Sequence, residues 1–140
     1  MKDKRITRTE TTHDKSAEEQ VTLSQEKFSR IFHSSPIALS VTRFSDGMFF
    51  DMNQSFQDLF GYERKKMLGH GVNEIIMFND SSDLQEIIHL LERDGKVFNR
   101  EVTARTKAGT EVNVLISAEK IKISNNTPIR NLLFNQFFKV

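Results

Sequence analysis

The 140-residue chain has no cysteine and no tryptophan, and Tyr62 is its single tyrosine. Without cysteine, disulfide scaffolds, thiolate metal sites and cysteine nucleophiles are excluded together. Charge of one sign is lacking too. The formal net charge is +1, so no global field draws nucleic acid or an anionic membrane. No apolar run approaches the ~20 residues of a membrane-spanning helix. The first residues, MKDKRITRTETTHDKS, lack the apolar stretch of a secretory signal. We expect a cytoplasmic chain that binds neither nucleic acid nor membrane. Catalytic patterns are missing as well. There is no glycine-rich phosphate loop, no pair of histidines at metal-ligand spacing and no local Ser-His-Asp logic. No nucleophile, base and oxyanion set can be assembled, so we expect no enzyme.

What is present is phenylalanine, in 12 copies. Phenylalanine buries a large area with no polar atom to satisfy. This suits an apolar core or pocket better than a polar catalytic cleft. The composition, 37% hydrophobic and 28% charged, is that of a globular protein, and the length fits one ordinary domain.

Residues 1–17 are polar and of mixed charge, and we expect a disordered lead-in there. The domain proper is expected over 18–140. From Ala17 a helix pattern begins, with Val21, Phe28, Ile31 and Phe32 able to share a face. Two roles are open to it: a cap on its own domain, or a short dimerising helix. Ser34-Ser35-Pro36 stops the helix, because the residue before proline is driven out of the α region. Ile37 to Thr42 alternates apolar and polar, which predicts a half-buried strand. Phe44 to Gly47 is a turn, since Asp-Gly supplies positive φ. Met48 to Met52 predicts the second strand. Asn53 is placed to cap a helix over Gln54–Phe60, and Gly61 to end it.

Asn79 to Ser82 opens a longer helix, with Ser82 and Gln85 at capping-box spacing. Leu84, Ile87, Ile88 and Leu91 form its apolar face. Val97 to Thr106 and Glu111 to Ile123 predict a hairpin around Lys107-Ala108-Gly109. Ile129 to Val140 would be the last strand. It is an atypical one, with Leu132, Leu133 and Phe134 consecutive and Phe137-Phe138 paired. Hairpin-linked strands at each end with helices between give the α+β class. We expect a five-stranded antiparallel sheet with helices packed on one face, plus an N-terminal cap helix.

The ordered set of motifs resembles the PAS domain family, including its PAC motif. Phe28 to Phe32 followed by Ser35-Pro36-Ile37-Ala38 is similar to the family's cap helix and first strand. Asn53 with Phe56, then Phe60-Gly61-Tyr62 and Leu68-Gly69, resembles its central helices. Asp80 and Asp83 lie where its connecting helix opens. Arg105-Thr106-Lys107-Ala108-Gly109-Thr110 resembles its strand-turn-strand signature. The likeness covers roughly Glu18 to Ile123. The family's frequent Asp-Ile-Thr type ending is missing. The module would then act in trans on a signalling partner, or be a fragment of a sensor histidine kinase or diguanylate cyclase.

The resemblance implies a sensory-box module of a bacterial-type, two-component-like system. It would sense or bind proteins without catalysis, as a homodimer through the cap helix or the sheet face. It also implies a choice of ligands, whose identity stays unknown. A light-driven flavin adduct and a p-coumaric acid chromophore both need a cysteine, so no covalent flavin or chromophore is expected. A redox flavin stays open. Haem would need an axial histidine on the connecting helix. His89 lies there, but about 140° from Leu84 at 100° per residue, on the polar arc. It should face water, which argues against haem.

His13, His33 and His70 sit in lead-in or turn positions. Arg64-Lys65-Lys66 is either a solvated helix face or a docking patch. By matching position, Met52, Phe56, Phe60, Ile75, Ile88, Leu91 and Phe98 could line an apolar pocket. Asn53, Arg100 and Asn113 are the inward polar candidates. The same apolar residues could instead fill the space as core, and a ligand pocket needs convergent polar groups besides.

Overall fold

The structure, a computed structural model, describes residues 25–75, 77–122 and 131–140. The polar lead-in 1–17 and the expected turn 124–128 lie outside the described residues. The chain divides between Phe32 and His33 into two compact units. Helix α1 spans residues 25–34. The Phe28 and Phe32 rings stack along it, with centroids 5.6 Å apart.

The second unit is built on an antiparallel sheet. Its strands are β1 (Ala38–Arg43), β2 (Phe49–Met52), β3 (Met77–Phe78), β4 (Lys96–Arg105), β5 (Glu111–Lys122) and β6 (Asn131–Lys139). Their order across the sheet is β2-β1-β6-β5-β4-β3. Five are the expected strands. The sixth, β3, is a two-residue edge strand too short to leave a period in the sequence. Helices α2 (Gln54–Phe60), α3 (Arg64–Met67), α4 (Val72–Ile75) and α5 (Ser81–Asp94) connect the two halves.

Local chemistry sets the joints. The β1–β2 turn closes with Gly47 N–H donating to Arg43 O at 2.7 Å. Gly47 has φ +71°, and a Cβ there would lie 2.8 Å from Val72 Cγ1. Glycine is therefore required by both conformation and space. Asn53 caps α2 as expected, accepting from Phe56 N–H at 2.9 Å. Helix α5 is capped by Asp80, which accepts from Ser82 N–H at 2.9 Å, and not by Ser82. A carboxylate two residues earlier satisfies a free N–H of the first turn and also meets the positive helix end. Hydrogen bonding from Ser82, through its side chain first and its N–H second, holds the Asp80 carboxyl below its ordinary range.

The sheet pleat sorts the side chains. Ala38, Ser40 and Thr42 of β1 stand opposite or beside Phe137, Asn135 and Leu133 of β6. On the neighbouring strand, Ile116 and Ala118 are in register with Phe137 and Asn135. These residues face the helices. The expected half-buried β1 is corrected here: its residues Ala38 to Thr42 are all buried, Leu39 and Val41 included. The alternation does not separate core from water. It separates a polar inner face from an apolar outer one. The irregular tail has the same origin. β6 runs between β1 and β5 and carries apolar residues on both faces, so its run of Leu132, Leu133 and Phe134 is regular pairing. The pleat turns Phe137 into the core, while Phe138 is half-buried on the other face.

Candidate functional site

Two regions lie between the inner sheet face and the helices, and they differ. Beneath α2 the space is filled. Phe56 and Phe60 are fully buried, their rings 4.7 Å apart. Phe137 packs edge-on against both, at 5.4 and 5.3 Å. Phe49 joins at 5.8 Å, and Met52 is fully buried in the same cluster. Met52, Phe56 and Phe60 thus act as core, each such side chain contributing roughly 1.5–3 kcal/mol of burial.

Beneath α5 a cavity of about 150 Å³ remains. One wall is the apolar face of α5: Leu84, Ile87, Ile88 and Leu91. The opposite wall is the inner sheet face, with Ile116 and Ala118 of β5 and Leu133 and Phe137 of β6. Phe49, Val72 and Phe78 close the sides. The β1–β2 turn, from Arg43 to Gly47, forms the rim.

Three neutral polar side chains stand in this wall. Ser40, Thr42 and Asn135 are all buried and line the cavity. Asn135 Nδ2 donates to Thr42 Oγ1 at 3.0 Å and to Ser40 Oγ at 3.3 Å, with a longer contact to Ser40 O at 3.5 Å. Both hydroxyls act as acceptors here, which leaves their hydrogens to donate. Asn135 Oδ1 accepts no hydrogen bond from any described residue.

The rim carries paired charge. Arg43 Nε donates to Asp46 Oδ1 at 2.9 Å, and its Nη2 holds the second carboxylate oxygen. That bond, with the Met48 N–H as second cause, keeps the Asp46 carboxyl at about 2. Lys120 is outside the lining, and its ammonium sits 4.0 Å over the Phe44 ring.

The expected site residues separate accordingly. Ile88 and Leu91 line the cavity. Asn53 is fully buried but committed to the backbone. Its Oδ1 accepts from Leu39 N–H and Phe56 N–H, both at 2.9 Å, and its Nδ2 donates to Ile37 O at 2.8 Å. It fastens β1 to α2. Arg100 does point inward, yet it is spent on α5. Its Nη2 reaches Glu86 at 2.6 Å and Asp83 at 3.7 Å, and its buried Nε has no partner among the described residues.

Phe98 faces solvent, 80% exposed. A bulge between Val97 and Arg100, with Asn99 at φ +50°, shifts the alternation by one residue. Ser117 Oγ accepts from the Asn99 N–H at 3.0 Å and holds the bulge. Asn113 is exposed on the outer face, accepting from Thr103 Oγ1 at 2.8 Å. The Ile75 side chain lies outside the described residues. His89 is exposed on α5. In the basic cluster, Arg64 pairs with Asp51 at 2.6 Å and Lys66 with Glu63 at 3.8 Å. Among the described residues no three histidine or acidic side chains are grouped to hold a metal.

The polar trio was missed because serine and threonine in an alternating strand signal a solvent face. The available signal was β6, where Asn135 interrupts an apolar stretch.

The model of the PAS domain family matches residues 35–135. No curated protein sequence matches the chain. Among solved structures, the PAS domain of an HTR-like protein from Haloarcula marismortui is similar at 18% identity. It covers 90% of this chain and 99% of that one, with a TM-score of 0.64. A PAS domain from Colwellia psychrerythraea is 21% identical over 80% of this chain and 93% of that one, TM-score 0.67. The PAS domain of nitrogen regulation protein NR(II) from Vibrio parahaemolyticus is 13% identical, covering 80% and 96%, TM-score 0.63.

Proposed function

The chain belongs to the PAS domain family, typically sensory and non-catalytic modules, and from that premise we propose that it senses a small ligand held non-covalently beneath α5. The cavity carries this reading: about 150 Å³ of unfilled space, with an apolar body and three convergent polar groups, is the composition expected of a ligand site. In this reading the module works in the cytoplasm within a bacterial-type signalling system and passes its state to a partner protein.

Transmission would be a population shift. Leu84, Ile87, Ile88 and Leu91 form one wall of the cavity, and Arg100 ties the same helix to β4 through Glu86 and Asp83. A ligand that favours one seating of α5 changes the strain on that tie, and a ligand indifferent to the two seatings transmits nothing. Hydrogen exchange tests this. With benzene saturating the cavity, amides of α5 and of the 97–100 bulge should gain protection. Binding without any change in their exchange would overturn the mechanism.

A second reading, a dimerisation module that needs no ligand, is favoured by exposed apolar side chains. Phe28 and Ile31 of α1 are 54% and 63% exposed, and Phe98 is more exposed still. Phe98 shares the outer face of the sheet with Phe134. Because Phe137 is core, a charge there would unfold the domain. The dimer test therefore uses Phe98→Glu, Phe138→Glu and the paired change of Phe28→Glu with Ile31→Glu. Sedimentation should show a dimer weakened by at least one of these. A dimer indifferent to all three would refute these surfaces.

A further inference from the structure

We propose that the cavity selects an uncharged carboxamide-type ligand about the size of a single six-membered ring, and rejects the matching carboxylate and amine. The proposal rests on the cavity being a ligand site and adds the chemistry of what enters it.

Size comes first. A cavity of about 150 Å³ lined by leucine, isoleucine and phenylalanine admits benzene, and the space beneath α5 is of that volume and largely of that lining. About six non-hydrogen atoms is therefore the scale of the occupant. Charge comes next. The cavity wall itself contributes no ionised group from Ser40, Thr42, Asn135 or the α5 face. The rim cation Arg43 is neutralised by Asp46. A buried carboxylate or ammonium would find no counter-charge inside, and desolvating it would not be repaid.

Polarity then sets the head group. Asn135 Nδ2 is used on the two hydroxyl oxygens. What faces the space is a pair of O–H donors and one amide oxygen as acceptor. The complement is an acceptor beside an N–H donor on a neutral group, which is a carboxamide. An alcohol satisfies half of this pattern and a hydrocarbon none of it. A site built to hydrogen-bond a group discriminates strongly against analogues lacking it, because its own polar atoms are left unpaired.

The test uses four probes on the full chain, followed by amide chemical-shift titration at pH 7. Benzene reports the cavity itself. Isobutyramide, isobutyrate and isobutylamine share one skeleton and differ in head group. Isobutyramide should bind at least ten-fold more tightly than isobutyrate or isobutylamine, with shifts centred on β1, β6 and α5. Thr42→Val, which keeps the shape and removes the hydroxyl, should weaken isobutyramide about five-fold and leave benzene unchanged. Ser40→Ala serves as a second variant should Thr42→Val disturb the fold, which the same spectra report. If benzene binds but isobutyramide shows no preference over isobutyrate, the carboxamide assignment is overturned while the cavity stands. If neither benzene nor isobutyramide binds, the ligand-site reading falls with it.

Discussion

Replacing Asn53 by alanine should cost this domain a large part of its stability. Asn53 is fully buried and serves three backbone groups on two elements. Its Oδ1 takes the Phe56 N–H at the start of α2 and the Leu39 N–H of β1, and its Nδ2 reaches Ile37 O. Loss of the helix cap alone costs about 1 kcal/mol. Leu39 N–H and Ile37 C=O would also be stranded, at about 1–3 kcal/mol each when buried. The sum is about 3–7 kcal/mol, against a total of about 5–15 kcal/mol for an ordinary domain. With a urea slope of ~2 kcal/mol per molar, the unfolding midpoint should fall by roughly 1.5–3.5 M. Asn53→Ser restores the cap but cannot span to β1, so it should recover about 1 kcal/mol of the loss. An alanine variant within about 1 kcal/mol of the parent, or a serine variant at full stability, would refute the clamp assignment.

Gly47→Ala should destabilise by about 1–2 kcal/mol, because φ is +71° and the new methyl meets Val72. Combining it with Val72→Ala should return part of that loss in thermal melts, and strict additivity would contradict the contact. Phe137→Ala should cost about 3–5 kcal/mol in urea unfolding, whereas Phe138→Ala should cost much less, since the pleat puts it on the outer face. Acid should release the rim. The folded Asp46 carboxyl titrates near 2, below its ordinary value of 3.8, so its stabilising contribution is complete above the ordinary value and disappears as pH falls through the folded one. Carboxyl chemical shifts should place that midpoint near 2, and Asp46→Asn should remove this part of the acid dependence. An Asp46 midpoint at the ordinary value would show that Arg43 does not hold it.

Much of the architecture was legible because it is written in local chemistry. Asn53 and Gly61 bracket α2 as their capping roles require, and Lys107 to Gly109 make the β4–β5 hairpin. The site was less legible, for two physical reasons. First, period-two alternation reports which residues share a face and not which face meets water. β1 is buried on both sides, so Ser40 and Thr42 looked like a solvent face when they line the cavity. Second, a single bulge resets alternation beyond it. Asn99 adds one residue between Val97 and Arg100, which sends Phe98 outward while Arg100 points to α5. Direction at Arg100 could not be read from its neighbours. Phenylalanines from α2 fill one half of the interior, and the shorter side chains of α5 leave the other half open.

Native mass spectrometry of the full chain, purified without denaturant from its own source cells, should find one uncharged small molecule per chain, retained under gentle conditions and lost from an Ala118→Phe variant in which the cavity is filled. A protein that carries no small molecule, and whose mass and melting temperature are indifferent to filling the cavity, would contradict the ligand-site reading.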